Sequence, residues 1–348
     1  MPTLQKHSFS MPKKILFINN KGGVGKTTIA VNTAVKLAQK GYRACIVDLD
    51  PQCNTTMYLV GNEDENTTNL FNENYENKQT KSIYEIIKPQ IDAIGDVLYS
   101  EKPVEIQDNL FLIRGDLSMS LFEESASNAY TQSAIGQTAG FRIISAVERY
   151  INYIGIDLEI DFFIMDTSPN LGMMNRLFLL GADHFVVPVI SDAFSYQGIE
   201  NLGTTLTRWK EEWKIIKLLS KSKQIPANLI LDGDPKCLGY ISNKEKPYGK
   251  KQTKAQSIWA QKIKEIAEHS LVPHTNKNKN NLEVRISGLA DYGTITNESQ
   301  KNNKAIFQLT TQDTTQINLG GSKELYEKAN DEFETLTNEI ISRLEANY

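Results

Sequence analysis

Residues 21–28 read Lys-Gly-Gly-Val-Gly-Lys-Thr-Thr and directly follow the apolar run Ile15–Ile18. A helical pattern leaves this stretch and extends from Thr27 to Gln39. A strand, a glycine-rich loop and a helix in this order are typical of a phosphate-binding P-loop. The glycines let consecutive backbone N–H groups converge on phosphate oxygens, because a Cβ would block the close approach. The stretch therefore predicts a nucleotide site at the start of an α/β fold.

The side chains at the end of this loop suit the phosphates of a bound nucleotide. Lys26 would reach the β- and γ-phosphates, Thr27 would offer its hydroxyl to Mg²⁺, and the helix N-terminus would add its dipole. Lys21 occupies the first position of the motif, where the standard form has glycine. This variant arises less often by chance than the standard form and is therefore more specific. The alternative is a strand-to-helix turn that binds no ligand.

A second buried parallel strand is predicted at Arg43–Asp48, and it leads into Asp50. Ligands of open parallel sheets lie at the carboxyl ends of the strands. We therefore expect Asp50 beside the loop that holds the γ-phosphate, where a carboxylate can orient an attacking water or accept its proton. The alternative is that Asp50 caps a helix at Asn54–Tyr58.

A third strand is predicted at Asp161–Asp166, followed by the segment Thr167–Gly172. An apolar strand that ends in aspartate beside a P-loop is the Walker B arrangement. Asp166 would hold a water bound to Mg²⁺, and the segment after it would be a switch loop.

The remaining patterns complete an α/β fold with a doubly wound, mostly parallel sheet. Residues 1–12 are expected to form a flexible arm, and residues 13–348 one P-loop domain with insertions at about 60–108 and, more basic, at about 220–282. Further strands are predicted at Asn109–Gly115, His184–Val189 and Cys237–Asn243, and helices at Ser82–Lys88 (ended by Pro89), Phe141–Ile154, Ile199–Leu219 and Ser322–Leu344.

Composition is that of an ordinary globular protein. The chain has 348 residues, 40% of them hydrophobic and 23% charged. No apolar run approaches the ~18 residues of a transmembrane helix, so no membrane span is expected. The three cysteines, Cys45, Cys53 and Cys237, are not at metal or redox spacing, and their odd number suits a reducing cytosol.

Charge is distributed unevenly along the chain. Residues 205–280 contain 16 lysines and arginines against 7 acidic residues, a net of +9, whereas the whole chain has a net charge of −4. A basic region on an acidic protein is typical of a surface that binds phosphate backbones. The alternative is a solvated insertion with ordinary surface lysines.

These motifs resemble those of ParA-type partition ATPases with a deviant Walker A sequence, a group that also includes MinD-like proteins and the nitrogenase iron protein. The resemblance runs from about residue 13 to 345 and is weak at 60–108 and 220–282. The matching stretches are Asn19–Thr28, Asp48–Asn54, Asp166–Gly172, Pro188–Gly198 and Ile286–Leu309.

The resemblance implies a role for each matching residue. Lys21 would be the signature lysine that crosses a dimer interface to the partner's nucleotide, and it would act in catalysis with Lys26 and Asp50. Asn243 would read adenine. The other implied ligands of phosphate and Mg²⁺ are Gly22, Gly23, Val24, Gly25, Thr27, Thr28 and, through water, Asp166.

The resemblance also implies a cellular activity. ATP would join two subunits into a homodimer that binds DNA non-specifically, and a ParB-like adaptor would trigger hydrolysis and release. A plasmid or chromosomal locus would thereby be segregated in the cytoplasm, on the nucleoid. Lys250, Lys251 and Lys254 are the expected DNA contacts, in the densest part of the basic region.

Other functions of similar proteins remain alternatives. The same ATPase can position a protein assembly. A MinD-like regulator of a membrane surface needs a basic amphipathic tail, whereas residues 322–348 are acidic. A tyrosine autokinase needs a tyrosine-rich tail, and only Tyr348 lies beyond residue 326. An iron–sulfur protein of the nitrogenase type is excluded, because no cysteine lies between residues 54 and 236.

Overall fold

The computed structural model describes residues 11–61, 80–245, 254–276, 283–313 and 322–346. Within them, eight strands form one sheet. The strands are β1 (Lys13–Phe17), β2 (Ala44–Asp48), β3 (Val104–Gln107), β4 (Leu110–Ile113), β5 (Phe162–Asp166), β6 (His184–Ile190), β7 (Lys236–Glu245) and β8 (Arg285–Ala290).

The strand order is β3-β4-β2-β5-β1-β6-β7-β8. Every neighbouring pair is parallel except β3 and β4, which are antiparallel. In register, Phe17 lies beside Asp166, and Asp48 lies beside Asp166 on the other side of β5. The predicted doubly wound, mostly parallel sheet is confirmed, and the ends of β1, β2 and β5 meet at one edge.

Helices cover both faces of the sheet. They are α1 (Lys26–Gln39), α2 (Asn54–Val60), α3 (Ile83–Ile91), α4 (Met119–Ala134), α5 (Thr138–Ile144), α6 (Ala146–Asp157), α7 (Met173–Gly181), α8 (Ala193–Ser222), α9 (Lys254–Ser270), α10 (Thr294–Lys301) and α11 (Ser322–Glu345). One apolar core includes residues of α1, α2, α10 and α11, and the other includes residues of α3 to α9. Trp209 and Trp213 are buried in the second core, as their helical spacing predicts.

Two helices differ from the predicted ones in their interior. Pro89 lies inside the last turn of α3, and the helix continues to Ile91. The backbone oxygen of Pro89 accepts from Ile94 N at 3.0 Å, so the turn closes beyond the proline. The helix predicted at Phe141–Ile154 is divided at Ser145 into α5 and α6. Ser145 Oγ donates to Phe141 O at 2.7 Å, a local bond that competes with regular helix geometry.

Helix α8 begins before the predicted Ile199. Asp192 stands at its N-cap and accepts a hydrogen bond from Ser195 N at 2.8 Å. A side-chain acceptor at this position satisfies one of the amides that a helix start leaves free. The long helix therefore starts at Ala193, directly after the loop that follows β6.

The C-terminal helix packs against the helix that leaves the P-loop. Lys36 Nζ donates to Asn330 Oδ1 at 2.6 Å and lies 4.0 Å from the centroid of the Phe307 ring. Asn32 Oδ1 accepts from Ile306 N at 2.8 Å. The last helix docks through its apolar face, since Ala329, Leu336, Ile340 and Leu344 are buried.

The two predicted insertions contain regular structure. Strand β3 and helix α3 fall within 60–108, at one edge of the sheet. The interval 220–282 contains β7, which is an internal strand of the sheet. Only the residues of this interval that lie on either side of β7 can therefore be an insertion.

Some predicted features lie outside the described residues. These are Lys250, Lys251 and most of the 1–12 arm, and Lys254 is described only by its backbone in α9. Across the described ranges, no helix has the length and apolar character needed to cross a bilayer.

Candidate nucleotide-binding site

The glycine-rich loop between β1 and α1 has a backbone that only glycine adopts easily. Gly23 has φ +73° and Gly25 has φ +88°, both in the left-handed region. A Cβ on Gly25 would lie 2.2 Å from Asn243 Nδ2, whereas one on Gly22 or Gly23 would meet no atom within 4 Å. The loop is therefore packed against β7 on one side and open on the side where phosphates would bind.

Two asparagines hold this loop in place. Asn19 Nδ2 donates to Pro188 O at 2.7 Å, and Asn19 Oδ1 accepts from Lys21 N at 2.9 Å. Asn243 Nδ2 donates to Val24 O at 2.8 Å. The structure thus gives Asn243 a supporting role that the sequence did not predict, and its contact with adenine stays a prediction. Asn19 could have been found from its position at the end of β1.

Lys26 lies within the loop, close to two carboxylates. Its side chain is buried, and burial lowers the pKa of its ammonium group. The charges of Asp166 and Asp50 act in the opposite direction and favour the ammonium. The structure therefore brings together three residues that the sequence placed in the site from three separate strands.

Lys21 is held by its own chain. Its Nζ forms an ion pair with Asp192 at the N-cap of α8 and lies 5.7 Å from the centroid of the Phe194 ring. Phe194 is 71% exposed. The role of this lysine at a dimer interface, which the resemblance implies, stays a prediction, and the sequence did not identify Asp192 as its partner.

Asp166 at the end of β5 accepts two hydroxyl hydrogen bonds. Its Oδ2 accepts from Thr27 Oγ1 at 2.7 Å and from Thr55 Oγ1 at 2.8 Å. Burial raises the pKa of this carboxyl to about 6, although both hydroxyls and Lys26 act to lower it. Its Oδ1 is buried and has no hydrogen-bond partner in the described part of the chain.

These observations fit a magnesium site. A free carboxylate oxygen beside a threonine hydroxyl provides hard oxygen donors of the kind that Mg²⁺ prefers when it also binds phosphates and water. The predicted pair of Thr27 and Asp166 is therefore brought together. The sequence did not predict the contact of Thr55 with Asp166. The position of Thr55, directly after Asn54 at the start of a helix beside the site, was the signal that could have indicated it.

Asp48 ends β2, Asp50 lies two residues later in the loop, and the two carboxylates have different partners. Asp48 Oδ2 accepts from Thr56 N at 2.8 Å and from Thr56 Oγ1 at 2.6 Å. Burial raises the pKa of Asp48 to about 7, with the Thr56 hydrogen bonds acting to lower it. Asp50 is 4% exposed, and its Oδ1 accepts from Gln52 N at 3.0 Å. Asp50 does not cap α2, whose N-cap is Cys53.

The loop after β5 is held by two amide side chains, those of Asn175 and Asn170. Asn175 Nδ2 donates to Ser168 O and to Asn170 O, both at 2.8 Å. Asn170 Oδ1 accepts from Gly172 N at 2.9 Å. The predicted switch loop therefore has a defined conformation that depends on α7, the helix that follows it.

The sequence matches the profile of the AAA domain family over residues 12–218. The chain belongs to this family and, within it, to the ParA-type ATPases of the ParA/MinD superfamily. The resemblance seen in the motifs is confirmed.

Three curated relatives show the range of this similarity. An uncharacterised protein of Methanocaldococcus jannaschii is 30% identical over 57% of this chain and 66% of its own length. The cell division protein PomZ of Myxococcus xanthus is 26% identical over 58% and 53%. The chromosome partitioning protein ParA of Caulobacter vibrioides is 27% identical over 57% and 63%. The match thus spans about half to two thirds of the length of these relatives.

Solved structures extend the similarity to most of the chain. Protein DIP2308 of Corynebacterium diphtheriae is 26% identical, with a TM-score of 0.64, and covers 84% of this chain and 97% of its own. A putative plasmid partition protein of Borrelia burgdorferi bound to AMPPNP is 15% identical, with a TM-score of 0.56, and covers 95% and 99%. The second likeness supports the fold alone.

Proposed function

We propose that this ParA-type ATPase binds and hydrolyses Mg·ATP, and that ATP controls its dimerisation and its binding to DNA. The observation that carries the proposal is the edge of the sheet where Lys26, Thr27, Asp50 and Asp166 meet around an open glycine loop. In phosphoryl transfer, groups of these kinds bind the phosphate chain, hold the divalent cation and orient the attacking water.

The residues divide the chemistry among themselves. Lys26 would bind the β- and γ-phosphate oxygens together with the loop amides of residues 22–28. Thr27 and Asp166 would hold Mg²⁺, which neutralises phosphate charge when bound. Asp50 would orient the attacking water or accept its proton, because it lies at the strand end beside this group and within the electrostatic reach of Lys26.

Dimerisation would use Lys21. In the described conformation its ammonium is paired with Asp192 of the same chain. Phosphates of a nucleotide bound to a second subunit carry more negative charge than one carboxylate and would compete for it. Lys21 would then leave Asp192 and pair with the nucleotide of the partner subunit, so dimer formation would depend on ATP.

DNA is the proposed partner of the dimer, and a ParB-like adaptor is the proposed activator. The net charge of +9 at residues 205–280 supports the first, because cationic surfaces bind phosphate backbones without sequence preference. The partitioning activity in the name of the Caulobacter relative supports the ParB-like adaptor.

An alternative function is that the same ATPase positions a protein assembly. The relative PomZ, a cell division protein, favours this alternative.

Fluorescence anisotropy with a labelled random-sequence duplex tests the DNA proposal. Binding should require Mg·ATP and weaken steeply with salt. Replacement of Lys250, Lys251 and Lys254 by glutamine should weaken binding and reduce the salt slope by up to about one unit for each lost phosphate contact. Hydrolysis in the absence of DNA should be unchanged.

A matched triple variant serves as the control. It replaces Lys88, Lys102 and Lys301, which are exposed lysines outside the basic region, by glutamine. Both triple variants lose three positive charges, and they lose them from different parts of the chain. Equal weakening by the two variants, or parent-like binding by the first at several salt concentrations, would overturn the assignment of the DNA surface.

A further inference from the structure

Glu123 of α4 is bound to the start of α7, directly after the loop at residues 167–172. Its Oε1 accepts from Met173 N at 2.6 Å, and its Oε2 accepts from Met174 N at 3.0 Å. These are the first two amides of α7. The carboxylate comes from an element 50 residues away in the sequence, and nothing in the motif analysis pointed to it.

The helix needs this contact because its own N-cap cannot supply one. Gly172 stands at the N-cap of α7 and has no side chain that could accept a hydrogen bond. The first amides of a helix lack partners within the helix and carry partial positive charge. A Cβ on Gly172 would lie 2.7 Å from Glu123 Oε1, so the glycine also makes room for the carboxylate.

The segment that leads into α4 is in turn attached to α2, the helix that follows β2. Gly115 N, four residues before α4, donates to Thr56 Oγ1 at 2.8 Å, and Thr56 donates to Asp48. A Cβ on Gly115 would lie 2.8 Å from Asp48 Oδ2, so this packing tolerates little displacement. Helix α4 therefore follows a segment that packs against Asp48, and its Glu123 binds the helix that follows the 167–172 loop. Glu123 thus connects the surroundings of Asp48 with the loop that begins beside Asp166.

We propose that Glu123 is a positioning residue for ATP hydrolysis: it fixes the far end of the 167–172 loop and so sets the geometry of the site at Asp166. The proposal rests on the proposed function, because it concerns the same reaction. It assigns Glu123 no contact with phosphate or metal. Loss of its carboxylate should therefore lower turnover and leave nucleotide affinity nearly unchanged.

Glu123→Gln is the test variant, and Glu124→Gln is its matched control. Glutamine offers one acceptor oxygen and turns an N–H₂ group toward a backbone N–H, so one of the two hydrogen bonds is lost. Glu124 is the next residue on the same helix and is exposed. The two variants make the same chemical change at the same helix, with and without the contact to α7.

Hydrogen exchange of the nucleotide-free protein is the first measurement, because it does not depend on hydrolysis. A peptide that covers residues 168–178 should exchange at least roughly tenfold faster in Glu123→Gln than in the parent. The same peptide in Glu124→Gln should exchange like the parent. Parent-like exchange in Glu123→Gln would overturn the proposal.

Steady-state kinetics is the second measurement. In Glu123→Gln, kcat should fall at least roughly fivefold and KM for ATP should stay within about twofold, because the P-loop contacts remain. Glu123→Asp, which keeps the charge, should recover part of kcat. A parent-like kcat, or a loss confined to KM, would overturn the positioning role. If the parent itself hydrolyses no ATP, the proposed function fails, and the exchange experiment still shows whether Glu123 holds α7.

Discussion

Two loops flank the nucleotide site at the same edge of the sheet, and they are anchored differently. The loop after β2, residues 49–53, leads into α2, whose threonines bind the buried carboxylates: Thr55 donates to Asp166, and Thr56 donates to Asp48. The loop after β5, residues 167–172, is held through α7, by Asn175 from within and by Glu123 from α4.

This difference separates two tasks. Displacement of the first loop together with α2 would break the hydrogen bond that Thr55 donates to Asp166, the carboxylate expected to hold Mg²⁺. The far end of the second loop can be displaced with α7 while the Thr27 and Thr55 hydrogen bonds of Asp166 stay intact. We therefore expect loss of the Thr55 hydrogen bond to affect stability and the metal site, and loss of the Glu123 hydrogen bonds to affect turnover with nucleotide affinity nearly unchanged.

Lys26→Ala should have the largest effect, because nucleotide binding precedes any role of the two loops in hydrolysis. The variant loses a charged hydrogen-bond donor aimed at the phosphates, and ATP affinity should fall by roughly 100-fold or more. Titration with a fluorescent ATP analogue measures this loss. Lys40→Ala, near the end of the same helix, is the control and should bind like the parent. An affinity within about threefold of the parent would show that Lys26 does not contact phosphate.

Thr55→Val should break the first loop's bond to the metal-side carboxylate without changing side-chain shape. A buried carboxylate then loses one donor, so the free energy of unfolding should fall by about 1–2 kcal/mol. Urea denaturation without Mg²⁺ measures the change. Thr335→Val is the control, since that hydroxyl donates to Asp331 O on an exposed face of α11. If the two variants are equally stable, Asp166 does not depend on the first loop.

Asp192→Asn should have the smallest effect, because it acts outside both loops. It removes the charge that holds Lys21 and keeps an oxygen that can cap α8. A partly exposed ion pair contributes about 0.2–1 kcal/mol, and a symmetric dimer breaks one such pair in each subunit, so the ATP-dependent dimer should form at a protein concentration roughly twofold to 30-fold lower. Light scattering over a concentration series measures this shift.

The control for Asp192→Asn is Asp234→Asn, which removes a carboxylate paired with Lys210. It should leave the dimerisation midpoint unchanged. A midpoint that rises in Asp192→Asn, or that moves equally in both variants, would contradict the competition between Asp192 and the partner's nucleotide.

The sequence predicts the parts of the site that follow from local pattern. Periodicity located the strands that end at Asp48 and Asp166, and the glycine motif located Lys26 and Thr27. Because parallel strands end at one edge, their order along the chain was enough to bring these residues together. The fold class followed from the same alternation of strands and helices.

The supporting contacts could not be predicted, because they join segments far apart in the chain. Asp192 pairs with a lysine 171 residues away, and Glu123 binds amides 50 residues away. Such pairs depend on the angles at which helices pack on the sheet, and hydrophobic periodicity carries no information about them. The division of α5 from α6 at Ser145, where the serine hydroxyl bonds to Phe141 O, likewise leaves the apolar periodicity of the segment unchanged.

Phosphate release by Asp50→Ala in the presence of Mg·ATP shows whether Asp50 acts in hydrolysis. We expect the variant to bind ATP within about threefold of the parent, to release phosphate at least roughly 100-fold more slowly, and to accumulate as an ATP-bound dimer. Phosphate release at the parental rate would contradict the assignment of Asp50, and with it the account of how this site hydrolyses ATP.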